Sequence, residues 1–148
     1  MKPDEIRIAS LYLFRERALV HALGRTVKGA WIPAGPIRVF PAGPLAGLEG
    51  PLREALAASC MGLSHPVDLA EAMAPLLEAS GARKWPDFLK EARCLGLEQR
   101  GEVLSVVPTR NLGEEGGFEP LVTEAVRPGR TDPGQLAAAL ATALDRCL

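Results

Sequence analysis

Two histidines, His21 and His65, carry the acid–base potential of this sequence. His65 stands in Ser64-His65-Pro66-Val67-Asp68, which lines up the residue types of a nucleophile, a base and an orienting carboxylate. A working triad draws those groups from separate stretches of chain, because each side chain needs its own direction of approach. Five consecutive residues do not supply that, so the cluster reads as the start of a helix, with Ser64 and Asp68 as caps and Pro66 as an opener. His21 falls among alternating apolar residues, and a solvent-facing strand position is expected for it. Glu114 and Glu115 are adjacent in the Gly-rich stretch NLGEEGG, residues 111–117. A mobile loop offers no buried pocket to drive two carboxyl pKa values apart, so solvated charge is expected there. Cys60, Cys94 and Cys147 form neither a CxxC pair nor a Cys/His cluster. Zinc and disulfides are therefore not expected, and the thiols should pack as small apolar groups. Neither GxxxxGK[ST] nor GxGxxG occurs. Trp31 and Trp85 lack the interleaved basic residues of a base-stacking platform and are expected at the rim of the core. These residues predict a binding protein that is no enzyme and needs no cofactor or metal.

The elements that must position these groups come from a chain of 148 residues and 15.7 kDa, which fits one domain over 1–148. Hydrophobic residues make up 47% and charged residues 24%, enough to bury a core. The aromatics are four Phe, two Trp and one Tyr, so Ala and Leu from helices must fill most of that core. A net charge of −1 argues against a protein that coats nucleic acid. The charge is uneven: residues 1–38 carry a net +4 and residues 39–120 a net −5. That is either a solvated surface or an acidic face that meets a basic partner. Asp4 and Glu5 with no apolar run behind them predict no signal peptide, and no apolar stretch approaches membrane-spanning length. A reducing cytoplasm is the expected compartment.

Strands are expected within residues 6–14 and over 18–23, with Arg15-Glu16-Arg17 as the polar turn between them. Gly24 and Gly29 predict a loop or hairpin. Pro33 and Pro36 in WIPAGPIRVF limit the next strand to a short edge at 37–40, and residues 41–50 read as a Pro/Gly loop. Pro51 opens a helix with Leu52, Ala55, Leu56 and Ser59 on one face. Residues 64–80 read as helix in two pieces, capped by Asp68, split at Pro75 and stopped by Gly81. A short helix over 86–92 follows. The clearest hairpin has arms at 94–97 and 103–107 around a turn at 99–102, with Pro108 as its end. A flexible acidic loop at 111–117 leads to a strand at 121–126. Thr131-Asp132-Pro133 opens a last helix whose buried stripe is Leu136, Ala139, Leu140, Ala143 and Leu144. A weak repeat relates residues 37–41 plus the Leu52 helix to residues 125–128 plus the Leu136 helix, by duplication or by convergence. The order predicts an α+β fold: one mostly antiparallel sheet with helices packed on it.

KWPDFLKEARCLGLEQRGEVLSVVPT, residues 84–109, runs from a Lys/aromatic start through a short helix to two strands ending in Pro-Thr. This block resembles the immunity proteins of bacterial contact-dependent growth inhibition. So do Gly29-x-Trp31 followed by Pro36-Ile37-Arg38-Val39-Phe40-Pro41 and the Leu52 helix, and the Ala/Leu-rich ending from Leu136 to Cys147. The chain is richer in Ala, Gly, Pro and Arg than that family's usual members. The resemblance implies a small cytoplasmic protein that covers a cognate toxin domain, often a nuclease, and blocks substrate access. On that reading Glu114, Glu115 and Glu119 would face a basic cleft in the toxin. A different class of function, a small enzyme or ligand carrier, would need a pocket near His65, Asp68 and Arg110. A third is a module that self-associates through an exposed sheet edge.

Overall fold

The computed structural model describes residues 5–128 and 134–148. Alternating apolar residues fold β1 (Ile6–Phe14) and β2 (Arg17–Thr26) into a hairpin in which Phe14 pairs with Arg17. The turn is Arg15-Glu16, and Arg15 adopts a left-handed φ of 55°. Among the described residues the sheet has seven strands and is antiparallel apart from one short parallel pairing. Its main path is β3 (Trp31–Pro41), β2, β1, β5 (Arg93–Arg100), β6 (Val103–Asn111) and β7 (Phe118–Pro120). The helices α1 (Glu49–Ala58), α2 (Leu69–Ser80), α3 (Trp85–Glu91) and α4 (Gln135–Arg146) pack on it. The α+β expectation holds.

Several boundaries differ from the sequence reading, each for a tertiary reason. β3 is an 11-residue strand rather than a short one. It lies at the sheet edge, where a proline leaves no neighbour without a donor. Val20 faces Arg38 and Ala22 faces Ala34, so Gly35, Pro36 and Ile37 bulge opposite His21 alone. β4 (Cys60–Leu63) has no signal of its own in the sequence; it pairs in parallel with β2 through Gly24 and Thr26. Gly24 permits this, because a Cβ there would lie 2.3 Å from Leu63 Cδ1. α2 is one continuous helix that starts at Leu69, and Pro75 does not split it. Pro75 and Glu71 are both exposed, so the carbonyl deprived of its partner meets solvent. Pro108 does not end β6; it pairs with Leu95 and the strand continues to Asn111. The strand expected at 121–126 is instead β7 at 118–120, a turn of 3₁₀ helix over Val122–Glu124, and a lone bridge between Val126 and Val106. The two copies of the weak repeat are therefore not structurally equivalent in their strands. The opening of the last helix at Thr131, Asp132 and Pro133 lies outside the described residues.

Strand alternation sends two apolar sets to opposite faces. Leu11, Val20, Leu95, Leu97 and Val106 meet Leu52 and Leu56 of α1 and the predicted stripe Leu136, Ala139, Leu140, Ala143 and Leu144 of α4. On the second face Tyr12, Phe14, Leu19 and Cys94 meet Leu76 of α2 and Phe88 of α3. Polar anchors fix the helix ends. Asp68 caps α2 by accepting from the Ala70 amide at 2.9 Å, as the sequence predicts. Ser59, just past α1, donates to the Leu23 carbonyl at 2.6 Å and accepts from the Ile8 amide at 3.0 Å, tying α1 to two strands.

Candidate functional site

His65, Asp68 and Arg110 do not come together. His65 Nδ1 lies 3.0 Å from the Thr26 hydroxyl at the end of β2. Asp68 is committed to its cap, and Arg110 lies on β6 with β1 and β5 between it and β2. Of the Ser64–Asp68 cluster only Asp68 caps α2; the helix starts at Leu69, so Ser64 and Pro66 precede it rather than cap and open it, and His65 braces β2. Glu114 and Glu115 are exposed between β6 and β7. Their loop is a closed turn rather than a loose one: the Leu112 amide donates to the Gly117 carbonyl at 2.8 Å and the Gly117 amide to Gly113 at 3.0 Å. Glu119 is on β7, paired across the ladder with Arg110. The three acids thus share one end of the sheet, with Arg110 beside one of them.

His21 corrects the expectation of a solvent-facing residue: it is 1% exposed. Its ring stacks on Tyr12 with centroids 5.8 Å apart, and Nδ1 lies 2.9 Å from the Ala22 carbonyl. Nε2 is buried with no hydrogen-bond partner among the described residues. The signal for burial was present in Leu19, His21 and Leu23 alternating with Ala18, Val20 and Ala22, since a strand apolar on both faces is covered on both.

Burial sets the titration of this cluster. It lowers the His21 pKa below 6.5, the Ala22 carbonyl pulling partly back. It pushes the Cys94 thiol up to about 12 and the Tyr12 phenol well above 10.0, the neighbouring thiol adding to the latter. A depressed imidazole pKa means the folded state binds fewer protons, so stability is complete above pH 6.5 and is lost as pH falls below it. Raised thiol and phenol pKa values mean the reverse, with stability complete below 9.0 and lost as pH rises toward about 12. Urea unfolding is therefore expected to give a plateau near neutrality with decline on both sides. His21→Gln should flatten the decline between about pH 7 and 5; an unchanged slope would assign that limb to other groups.

The helices leave part of the second face open. Beside Tyr12 lies a hollow of about 570 Å³. Ser10 of β1 and Gly96 of β5 form its floor, and Thr109 of β6 lines it. Leu23 and Trp31 stand on the β2–β3 side, and Phe118 and Val122 on the other. Trp31 lies at the rim as its sequence context predicts; the rest of the lining has no local signal, because only the register brings Ser10 opposite Gly96 and Gly96 opposite Val107. Trp85 packs edge-on against Phe88, as expected of a rim anchor. Among the described residues no three His, Cys, Asp or Glu side chains gather as a metal site requires, and no helix is long and apolar enough to cross a membrane.

Neither a protein-family model nor a curated protein sequence matches the chain. Solved structures do, among them the following two. A protein of unknown function from Neisseria meningitidis superposes with a TM-score of 0.80 at 16% identity, over 100% of this chain and 99% of that one. A chain from the CdiA-CT/CdiI toxin and immunity complex of Yersinia pseudotuberculosis superposes with a TM-score of 0.76 at 15% identity, over 97% and 98%. The fold is shared with both. At such identity the likeness lies in strand order and helix placement, and surface residues are free to differ.

Proposed function

We propose that this protein is an immunity protein that binds a cognate toxin domain in the cytoplasm and neutralises it. The observation that carries the reading is the full-length superposition on a chain of a toxin and immunity complex. The sequence resemblance of residues 84–109 supports it independently, and the scattered His65, Asp68 and Arg110 favour a binding surface over catalysis. Neutralisation on this reading is stoichiometric: the protein covers the toxin and excludes its substrate. Nuclease clefts are basic, and the exposed acids Glu114, Glu115 and Glu119 at one end of the sheet suit such a cleft, with charge steering the encounter.

Where a secreted-toxin domain is encoded beside this gene, co-expression with it tests the reading. Cells are expected to survive, and death despite stable expression of this protein defeats the assignment. Replacing all three acids by lysine is expected to weaken binding to that domain by about tenfold or more, with most of the loss in association rate at low salt. Survival with an unchanged dissociation constant would reject the acidic contact and leave the immunity reading standing.

A further inference from the structure

None of Glu114, Glu115 and Glu119 lines the hollow beside Tyr12. We propose that it binds a small, flat, uncharged molecule bearing a hydroxyl or amide group, its ring held between Trp31 and Phe118 and its polar end at Ser10 and Thr109. A volume of about 570 Å³ falls in the range of small-molecule sites. The floor consists of β1 and β5, the two central strands of the path, so it is rigid. Gly96 lowers that floor by one side chain: a Cβ there would meet nothing nearer than Val107 Cβ at 3.9 Å. A glycine in a central strand costs backbone entropy and contributes no packing, so the open space has no structural return of its own.

The polar groups at the base fit one hydrogen-bonding head. Ser10 and Thr109 are each 6% exposed. Thr109 Oγ1 donates to the Cys94 carbonyl at 2.6 Å, leaving its lone pairs to accept from a ligand. Ser10 can donate or accept. Among the described residues the base holds no free charge. Tyr12 and Cys94 are neutral at physiological pH, and Glu98 at the margin accepts from Arg100 at 2.7 Å. An ionised ligand would be desolvated there without a counter-charge.

The test uses 2-naphthol against the full chain, followed by NMR of the Gly96 amide and the Trp31 and Trp85 indoles. Saturable shifts are expected at Gly96 and Trp31 but not at Trp85. Charged 2-naphthoate should bind at least about tenfold more weakly. Gly96→Leu, which fills the hollow, should abolish the shifts of Trp31 while the melting temperature stays within a few degrees. Gly96→Ala adds only a methyl group at ordinary contact distance and should weaken binding several-fold, which decides the matter if the leucine variant does not fold. The proposal is overturned if 2-naphthol gives no saturable shift, if naphthoate binds as well, or if Gly96→Ala and every folded Gly96 variant bind like the parent.

Discussion

Phe88→Ala is expected to lower the unfolding free energy by about 3–5 kcal/mol. Phe88 is fully buried and holds the second core together. Its ring centroid lies 5.2 Å from Phe14, 5.8 Å from Tyr12 and 5.8 Å from Trp85, so one truncation removes three aromatic contacts. α3 has only seven residues and no side-chain N-cap, so it cannot hold its shape without this anchor. A chain poor in aromatics has placed three of its four phenylalanines, its tyrosine and one tryptophan in this layer. Urea unfolding followed by tryptophan fluorescence measures the effect. A loss below about 1 kcal/mol would mean that α3 is not part of the cooperative unit.

The second large effect is expected at Asn111. Its Nδ2 donates to the carbonyls of Leu89 and Ala92, the latter at 3.0 Å, and its Oδ1 accepts from the Gly113 amide at 2.9 Å. One side chain thus satisfies the end of α3, the chain entering β5 and the first residues of the acidic turn. Asn111→Ala leaves three backbone groups without that partner, at a cost of about 2–4 kcal/mol. Asn111→Asp keeps the acceptor but cannot donate, and sets a carboxylate against two carbonyls. It is expected to be at least as damaging at neutral pH and to recover partly as the carboxyl protonates. Denaturant midpoints at pH 7 and pH 4, compared with the parent at each pH, check this. Equal stability of the aspartate variant and the parent at pH 7 would remove Asn111 from the role described.

How much of this was legible in the residues depends on how local each feature is. The hairpins β1–β2 and β5–β6 follow from alternating apolar residues around short polar turns. The buried stripe of α4 was legible, because Leu136, Ala139, Leu140, Ala143 and Leu144 repeat at helical spacing and nothing else competes for them, whereas its start was not: the helix begins at Gln135 after Gly134. Pro33, Pro36 and Pro108 misled, since their effect depends on whether the missing donor would have met a neighbour. β4 was invisible: Cys60–Leu63 has no strand pattern and is held by β2. On the functional side, the separation of Ser64, His65 and Asp68 from triad chemistry was legible from spacing alone. The hollow beside Tyr12 was not.

The sequence by itself determined the α+β class, the antiparallel hairpins, the Ala/Leu helix faces and the lack of a recognisable catalytic motif. These rest on interactions among residues a few positions apart, whose geometry the backbone periods dictate. The tertiary structure alone decided that His21 is buried, that β3 runs its full length at an edge, that Arg110 lies far from His65, and that Gly96 opens a floor between Trp31 and Phe118. Each of those depends on pairing between segments distant in the chain. Their register is set by the whole core at once, and no local run of residues encodes it.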